Sequence, residues 1–282
     1  GHETTLSQVA NEILGVDIDK VHVLHGDTAF TPYSTGTWGS RCMVMSGGAV
    51  ATACEEIGNR VKAIAAKLME VAAADLVLEA GEVRVAGTDR KMTLAEVAHV
   101  WYRKPQLLPA DVDPSGLEAV EGYKAKVDTG TFSYACHACV VAVDTETGQV
   151  EILDYAIAED GGVLVNPMIV DGQVFGGTAQ GVGTALYEEM PYDEQGQPLA
   201  TTLADYLLPG PTEVPSIRID HMESPSPYTR FGQKGIGEGG AIGPPAAIAN
   251  AVNDALAPLG VEITESPLTP RRIVEALMAR QK

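Results

Sequence analysis

Basic charge is scarce in this sequence. Lys and Arg number 19 against 38 Asp and Glu, for a net charge of -19 over 282 residues. Such a chain repels polyanions, so nucleic acid and anionic membrane surfaces are not expected partners. Long apolar runs are missing as well: no stretch reaches the roughly 18 residues that a membrane span requires. The N-terminal residues lack a basic segment followed by an apolar one, so no signal peptide is expected and a cytoplasmic setting is. Cysteine is sparse. Cys42, Cys54, Cys136 and Cys139 are too few to frame a chain of this length with disulfides, which fits a reducing compartment.

Metal-ligand patterns are lacking too. No H-x-x-x-H or H-E-x-x-H occurs. Cys136-His137-Ala138-Cys139 has C-x-x-C spacing, but it lies in a strand pattern, where the two sulfurs point to opposite faces. No second pair completes a zinc site, and core packing is the expected role. No metal held by protein side chains is expected.

What is present is an ordinary globular mix, 45% hydrophobic and 20% charged, long enough for one or two domains of about 150 residues. Leu6, Val9, Ala10, Ile13 and Leu14 share a helical face that Gly15 terminates. Val21 to His25 has strand character. Gly47-Gly48 leads into a long helix from Ala49 to about Val71. Leu76–Ala80 and Glu82–Ala86 form a hairpin across Gly81, and Leu94–Val100 a short helix. Residues 103 to 122, rich in Pro, Asp and Gly, form a surface loop. Phe132–Val143 and Val150–Ile157 give the clearest hairpin. Pro167 opens a helix over Met168 to Glu189. Leu203–Leu208, Ile217–His221 and Val261–Ile263 are strand candidates, and Thr269-Pro270 caps a last helix to about Arg280. Mixed order with an antiparallel hairpin indicates an α+β fold.

Three glycine-bearing turns stand out. The richest is Gly235-Ile236-Gly237-Glu238-Gly239-Gly240, ahead of a helix expected from Pro245 through Leu256. Glycine lets backbone approach a ligand closely, and a helix N-terminus suits an anion. Its one acid, Glu238, is expected in a crowded pocket, where burial favours proton transfer. A plain turn that holds nothing accounts for the same residues. So does a simple helix cap for the second turn, Gly39-Ser40-Arg41-Cys42, whose hydroxyl, N–H groups and guanidinium otherwise suit a phosphate or polar heterocycle. The third is Asp160-Gly161-Gly162, followed by Asn166-Pro167. Glycines 172, 176, 177, 181 and 183 in the helix after it each cost helix stability, unless something packs closely there. A Rossmann dehydrogenase is disfavoured, because Arg230 to Lys234 make a poor strand and no acid follows at the ribose position.

Together, GHETTLSQVA at Gly1, TGTWGSR at Thr35, AEDGGVLVNPMIVDGQVFGGTAQGVGTALYEE at Ala158 and KGIGEGGAIGPPAAIANAV at Lys234 resemble one family. It is the molybdenum-binding large subunit of the xanthine oxidase type of molybdenum hydroxylases, nearest the carbon monoxide and aldehyde dehydrogenase branches. The resemblance covers the C-terminal part of that subunit. It implies two mixed α/β sub-domains, 1–125 and 126–282, gripping a molybdopterin cytosine dinucleotide.

Carried over by position, the resemblance makes Glu238 the catalytic base of a hydroxylation that takes its oxygen from water. It places Gly1, His2, Glu3 and Thr4 at the end of a cofactor-facing loop. Gly39, Ser40, Arg41 and Cys42 fall on the pterin or its nucleotide tail, and Asp160 near the dinucleotide. Gln180 lies on a helix beside the cofactor, and Gln233, Lys234, Gly235 and Gly237 flank the base. The missing N-terminal half, an iron–sulfur subunit with [2Fe–2S] clusters and an FAD subunit are the implied partners, in a dimer of heteromers. The substrate classes implied are aldehydes, N-heterocycles or carbon monoxide. A non-catalytic, cofactor-carrying or scaffold fragment is the alternative.

Overall fold

The computed structural model describes residues 1–128 and 130–280, and the chain divides into two compact units. The first comprises Gly1–Gly130 with Tyr228–Arg230; the second comprises Thr131–Pro227 and Phe231–Lys282. The fold is α+β.

In the first unit, α1 (His2–Leu14) ends as expected on Gly15, which is left-handed at φ 66° and donates its N–H to the Asn11 carbonyl. The long helix α2 runs Cys42–Met69, starting seven residues before the expected Ala49. Gly47 and Gly48 therefore lie within the helix. Packing explains the departure: a Cβ on Gly48 would stand 2.4 Å from the Tyr123 ring, so glycine is needed for contact rather than for a turn. Val21–His25 forms no strand, contrary to expectation. Its β-branched residues find no neighbouring strand to pair with, and strand propensity without a partner is weak.

The hairpin β1 (Leu76–Glu79) and β2 (Glu82–Val85) forms in the expected place, and β3 (Lys91–Thr93) adds to it in the order β1-β2-β3. Thr93 then opens α3 (Leu94–Arg103) with a capping box closed by Glu96. The core joins Val61, Ile64 and Ala65 of α2 to Leu76, Val83, Val85, Val97 and Val100. Arg60, 8% exposed, ties down the loop that follows α3. It donates to the Gly116 and Glu118 carbonyls and pairs with Asp113 at 3.0 Å.

In the second unit, β4 (Tyr134–Val143) and β5 (Val150–Asp160) pair antiparallel, and β6 (Ile217–Met222) pairs parallel to β5. The register of β4 and β5 slips once: Val140 pairs with Asp154 but Val141 with Ile152, which leaves Leu153 as an extra residue. A β-bulge of this kind flips the side-chain alternation. Val150 and Ile152 face the core before it, and Tyr155, Ile157 and Glu159 after it.

Helix α4 (Pro167–Leu186), capped by Asn166, and α5 (Gly239–Leu256) pack on each other and on this sheet. Helix α6 (Pro270–Arg280) starts at Thr269-Pro270 as expected. Of the other strand candidates, Leu203–Leu208 forms bends and turns. Val261–Ile263 is not a strand either, because the Asn253 side chain takes both backbone groups of Ile263, at 2.8 and 2.9 Å.

Helix α5 departs most from expectation. It begins at Gly239, so Pro244 and Pro245 lie inside it rather than at its first turn. Proline lacks the N–H that would reach the carbonyl four residues back. For Pro244 that carbonyl is Gly240, and the buried Thr178 hydroxyl of α4 donates to it at 3.3 Å. The two helices also need glycine at their seam. A Cβ on Gly177 would meet Ala241 N at 2.8 Å, and one on Gly181 would meet Pro244 at 2.7 Å. Two of the five α4 glycines thus serve the α4–α5 contact, while Gly172 and Gly176 face open space.

Candidate functional site

The Asp160 bend and the Glu238 turn meet in the second unit. Gly162 sits at φ 65°, a conformation that favours glycine, and a Cβ there would stand 2.2 Å from the Gly232 carbonyl. Val163 donates to Gly232 O, and Lys234 N–H donates to Gly161 O at 2.7 Å. Asp160 is fully buried at the end of β5. Its Oδ1 accepts from the Gly162 and Ser224 N–H groups at 2.9 and 3.2 Å and pairs with Lys234 Nζ at 3.0 Å. Burial alone would raise this carboxyl. Hydrogen bonds from Ser224, Gly162, Tyr134 and Lys234 outweigh burial and hold it far below the ordinary carboxylate range. The Lys234 ammonium also lies 4.9 Å from the centre of the Tyr134 ring.

From this anchored root the turn runs through buried Gly235 to exposed Gly237 and Glu238, which is the N-cap residue of α5. The side chain of Gln173 on α4 donates to the Gly237 carbonyl at 3.2 Å. The turn is therefore held at Lys234, at Gly237 and, through Thr178, at Gly240. Glu238 is exposed on this chain, which corrects the expectation that it lies in a crowded pocket. The glycines on either side of Glu238 carry no side chains to cover it.

Asp160, Gln233, Lys234, Gly235 and Gly237 are thus brought together with Glu238. Gln180 is exposed on α4, two turns beyond Gln173. Sequence reasoning singled out the stretch from Gln173 to Gln180 as a place of close approach, but missed the bond that Thr178 makes and the burial of Glu159. The Pro244-Pro245 pair, which strands helical carbonyls, was the available signal for Thr178.

The first unit holds the remaining residues in two places. Gly39 and Ser40 both adopt positive φ, 59° and 54°, and the Cβ position of Gly39 is open. Arg41 occupies the N-cap position of α2, its guanidinium lies 4.4 Å over the Trp38 ring, and it also donates to Thr35. The Cys42 sulfur lies 3.2 Å from the Thr37 hydroxyl. No acid occupies the first turn of α2. At the start of α1, the His2 and His25 rings meet edge to face, and His25 pairs with Glu3 at 3.4 Å. Burial comes first among the causes that lower the His2 imidazole below its usual value. Gly1, Glu3 and Thr4 are exposed.

An open, left-handed Gly-Ser turn with an arginine at an acid-free helix N-terminus suits a phosphate or pyrophosphate. Among the described residues, no group of three His, Cys, Asp or Glu side chains is placed to hold a metal ion. The cysteines of the C-x-x-C motif alternate: Cys136 is exposed, against the core role expected for it, whereas Cys139 packs on the core. No helix among the described residues is long and apolar enough to cross a membrane.

Comparison with known proteins shows the family. Residues 1–215 match the family described as molybdopterin cofactor-binding domain. The chain is 40% identical to the nicotine 6-hydroxylase large subunit of Paenarthrobacter nicotinovorans, over 98% of its own length and 34% of that protein. It is 37% identical to the carbon monoxide dehydrogenase large chain of Hydrogenophaga pseudoflava, with the same coverage. The crystal structure of quinoline 2-oxidoreductase from Pseudomonas putida 86 superposes with a TM-score of 0.88 at 41% identity, over 99% of this chain and 35% of that one. The chain thus spans about a third of the length of the relatives it matches.

Proposed function

Because the chain belongs to the molybdopterin cofactor-binding domain family, we propose that it is the cofactor-gripping, base-carrying C-terminal third of a molybdenum hydroxylase. Residues 1–125 and 126–282 are then two cofactor-binding sub-domains. The cofactor, as a molybdopterin cytosine dinucleotide, supplies the two-electron redox centre when bound.

This chain's residues supply the rest. Gly39, Ser40, Arg41 and Cys42 hold the pterin or its nucleotide tail through backbone N–H groups and the guanidinium. Gly1 to Thr4 border it, as do Asp160 and Gln180. Gln233, Lys234, Gly235 and Gly237 form the rigid stem of the turn that presents Glu238, and the glycines leave its carboxylate open to the reacting centre. Glu238 accepts the proton that the incoming water-derived oxygen must lose. The substrate is an electron-poor carbon centre, an aldehyde, an N-heterocycle or carbon monoxide, and the electrons pass to [2Fe–2S] and FAD partners. The remaining part of the molybdenum subunit completes the site, in a cytoplasmic dimer of heteromers.

The observation that carries the reading is the three-point anchoring of an acid-bearing glycine turn at the N-terminus of α5. Glu238→Gln in the complete enzyme tests it. Molybdenum content stays near wild type and turnover falls at least about 100-fold, the scale of a positioned general base. Turnover that survives the substitution rules the role out.

A further inference from the structure

Glu159 is 1% exposed, and neither carboxyl oxygen has a hydrogen-bond partner among the described residues. It faces inward because the bulge at Leu153 reverses the alternation of β5. Its Oε1 lies where a Cβ on Gly239 would stand 2.1 Å away. The carboxyl group is therefore wedged against the first residue of α5, directly after Glu238. A charged carboxylate buried without partners is too costly to persist.

The groups around it suit an uncharged acid. On β6, His221 pairs in register with Glu159. His221 Nε2 lies 2.7 Å from Asp171 Oδ1 of α4. A carboxylate only accepts, so Nε2 carries the proton, and in the neutral ring Nδ1 is left as a bare acceptor. That Nδ1 is buried and without a partner among the described residues. Glu238 directly precedes Gly239 in the chain, as the N-cap residue of α5. The next residue of β5, Asp160, is already committed to Lys234.

We propose that Glu159 is a positioning residue: a neutral carboxylic acid that supports Gly239 from beneath, backed by His221 and Asp171, and so fixes the direction in which Glu238 is presented. This rests on the reading of Glu238 as the base. Burial raises the Glu159 carboxyl above its ordinary value, and His221, when protonated, would oppose that rise only in part. The linkage follows in sign. A carboxyl whose folded value is raised stabilises the fold fully below its unfolded value, and that contribution is lost as pH rises through the folded value.

The test compares wild type, Glu159→Gln and Glu159→Ala in the complete enzyme, by thermal unfolding from pH 4 to 9 and by steady-state kinetics. Wild-type Tm falls as pH rises past the ordinary carboxylate range, and Gln, which keeps shape without charge, removes that component. Ala lowers kcat about tenfold or more, the cost of a small misplacement, with KM within about twofold, and Gln restores most of it. Parallel Tm curves for wild type and Gln, or a kcat in the Ala variant equal to wild type, overturn the proposal. The Tm arm needs no turnover. If Glu238→Gln remains active, the base assignment fails on that result alone, and the burial of Glu159 is still judged by the Tm curves.

Discussion

Asp160 and Lys234 make a buried pair whose side chains are 0% and 10% exposed. Asp160→Asn leaves the ammonium without its counter-charge, and the expected loss is about 3 kcal/mol in denaturant unfolding. The pH dependence has the opposite sign to that of Glu159. The Asp160 carboxyl is depressed in the folded state, so its contribution is present above the unfolded value, about 3.9, and is lost as pH falls through the folded one. The Asn variant lacks this part of the acid transition. An identical acid transition in the two proteins contradicts the pairing. Asp160, Lys234 and Glu238 were legible in the sequence because glycines mark them. Glu159 was not, because its inward direction depends on one extra residue in β5 that no local pattern announces.

At the scale of elements, the α4–α5 seam makes two checkable demands. Thr178→Val is nearly isosteric but removes the donor to the Gly240 carbonyl that Pro244 cannot serve, and should cost about 1–3 kcal/mol in thermal or denaturant unfolding. Gly177→Ala drives a methyl into the α5 backbone and is expected to destabilise by about 1–3 kcal/mol. Gly172→Ala, where space is open, should instead stabilise by up to about 1 kcal/mol. Equal effects at Gly172 and Gly177 would show that the seam is not where these glycines matter.

Caps and turns made α1, α6 and the first hairpin readable: Gly15, Thr269-Pro270 and Gly81 each punctuate the chain where the structure does. The starts of α2 and α5 were hidden for the converse reason. Gly47-Gly48 and Pro244-Pro245 read locally as breaks, and tertiary contacts with Tyr123 and Thr178 keep the helices running through them. Val21–His25 shows the limit of propensity, since a strand exists only where a neighbour pairs with it.

At the scale of the whole molecule, family membership follows from the match over residues 1–215. The chain's share of its relatives, about a third of their length, explains why an exposed Glu238 suits the proposed role. Under that proposal, residues of the rest of the molybdenum subunit form part of the substrate side of Glu238. The substrate itself was not legible, because the motifs read in the sequence mark glycine turns and helix ends rather than a substrate pocket.

The most direct measurement is made on the native complex, isolated with all its subunits: elemental analysis for molybdenum, iron and copper, with identification of the nucleotide released by acid hydrolysis. Molybdenum together with iron and released CMP is the expected result, and copper in addition would select the carbon monoxide branch. A complete complex, produced with cofactor supplied, that contains no molybdenum would contradict the account and leave Glu238 without its reaction.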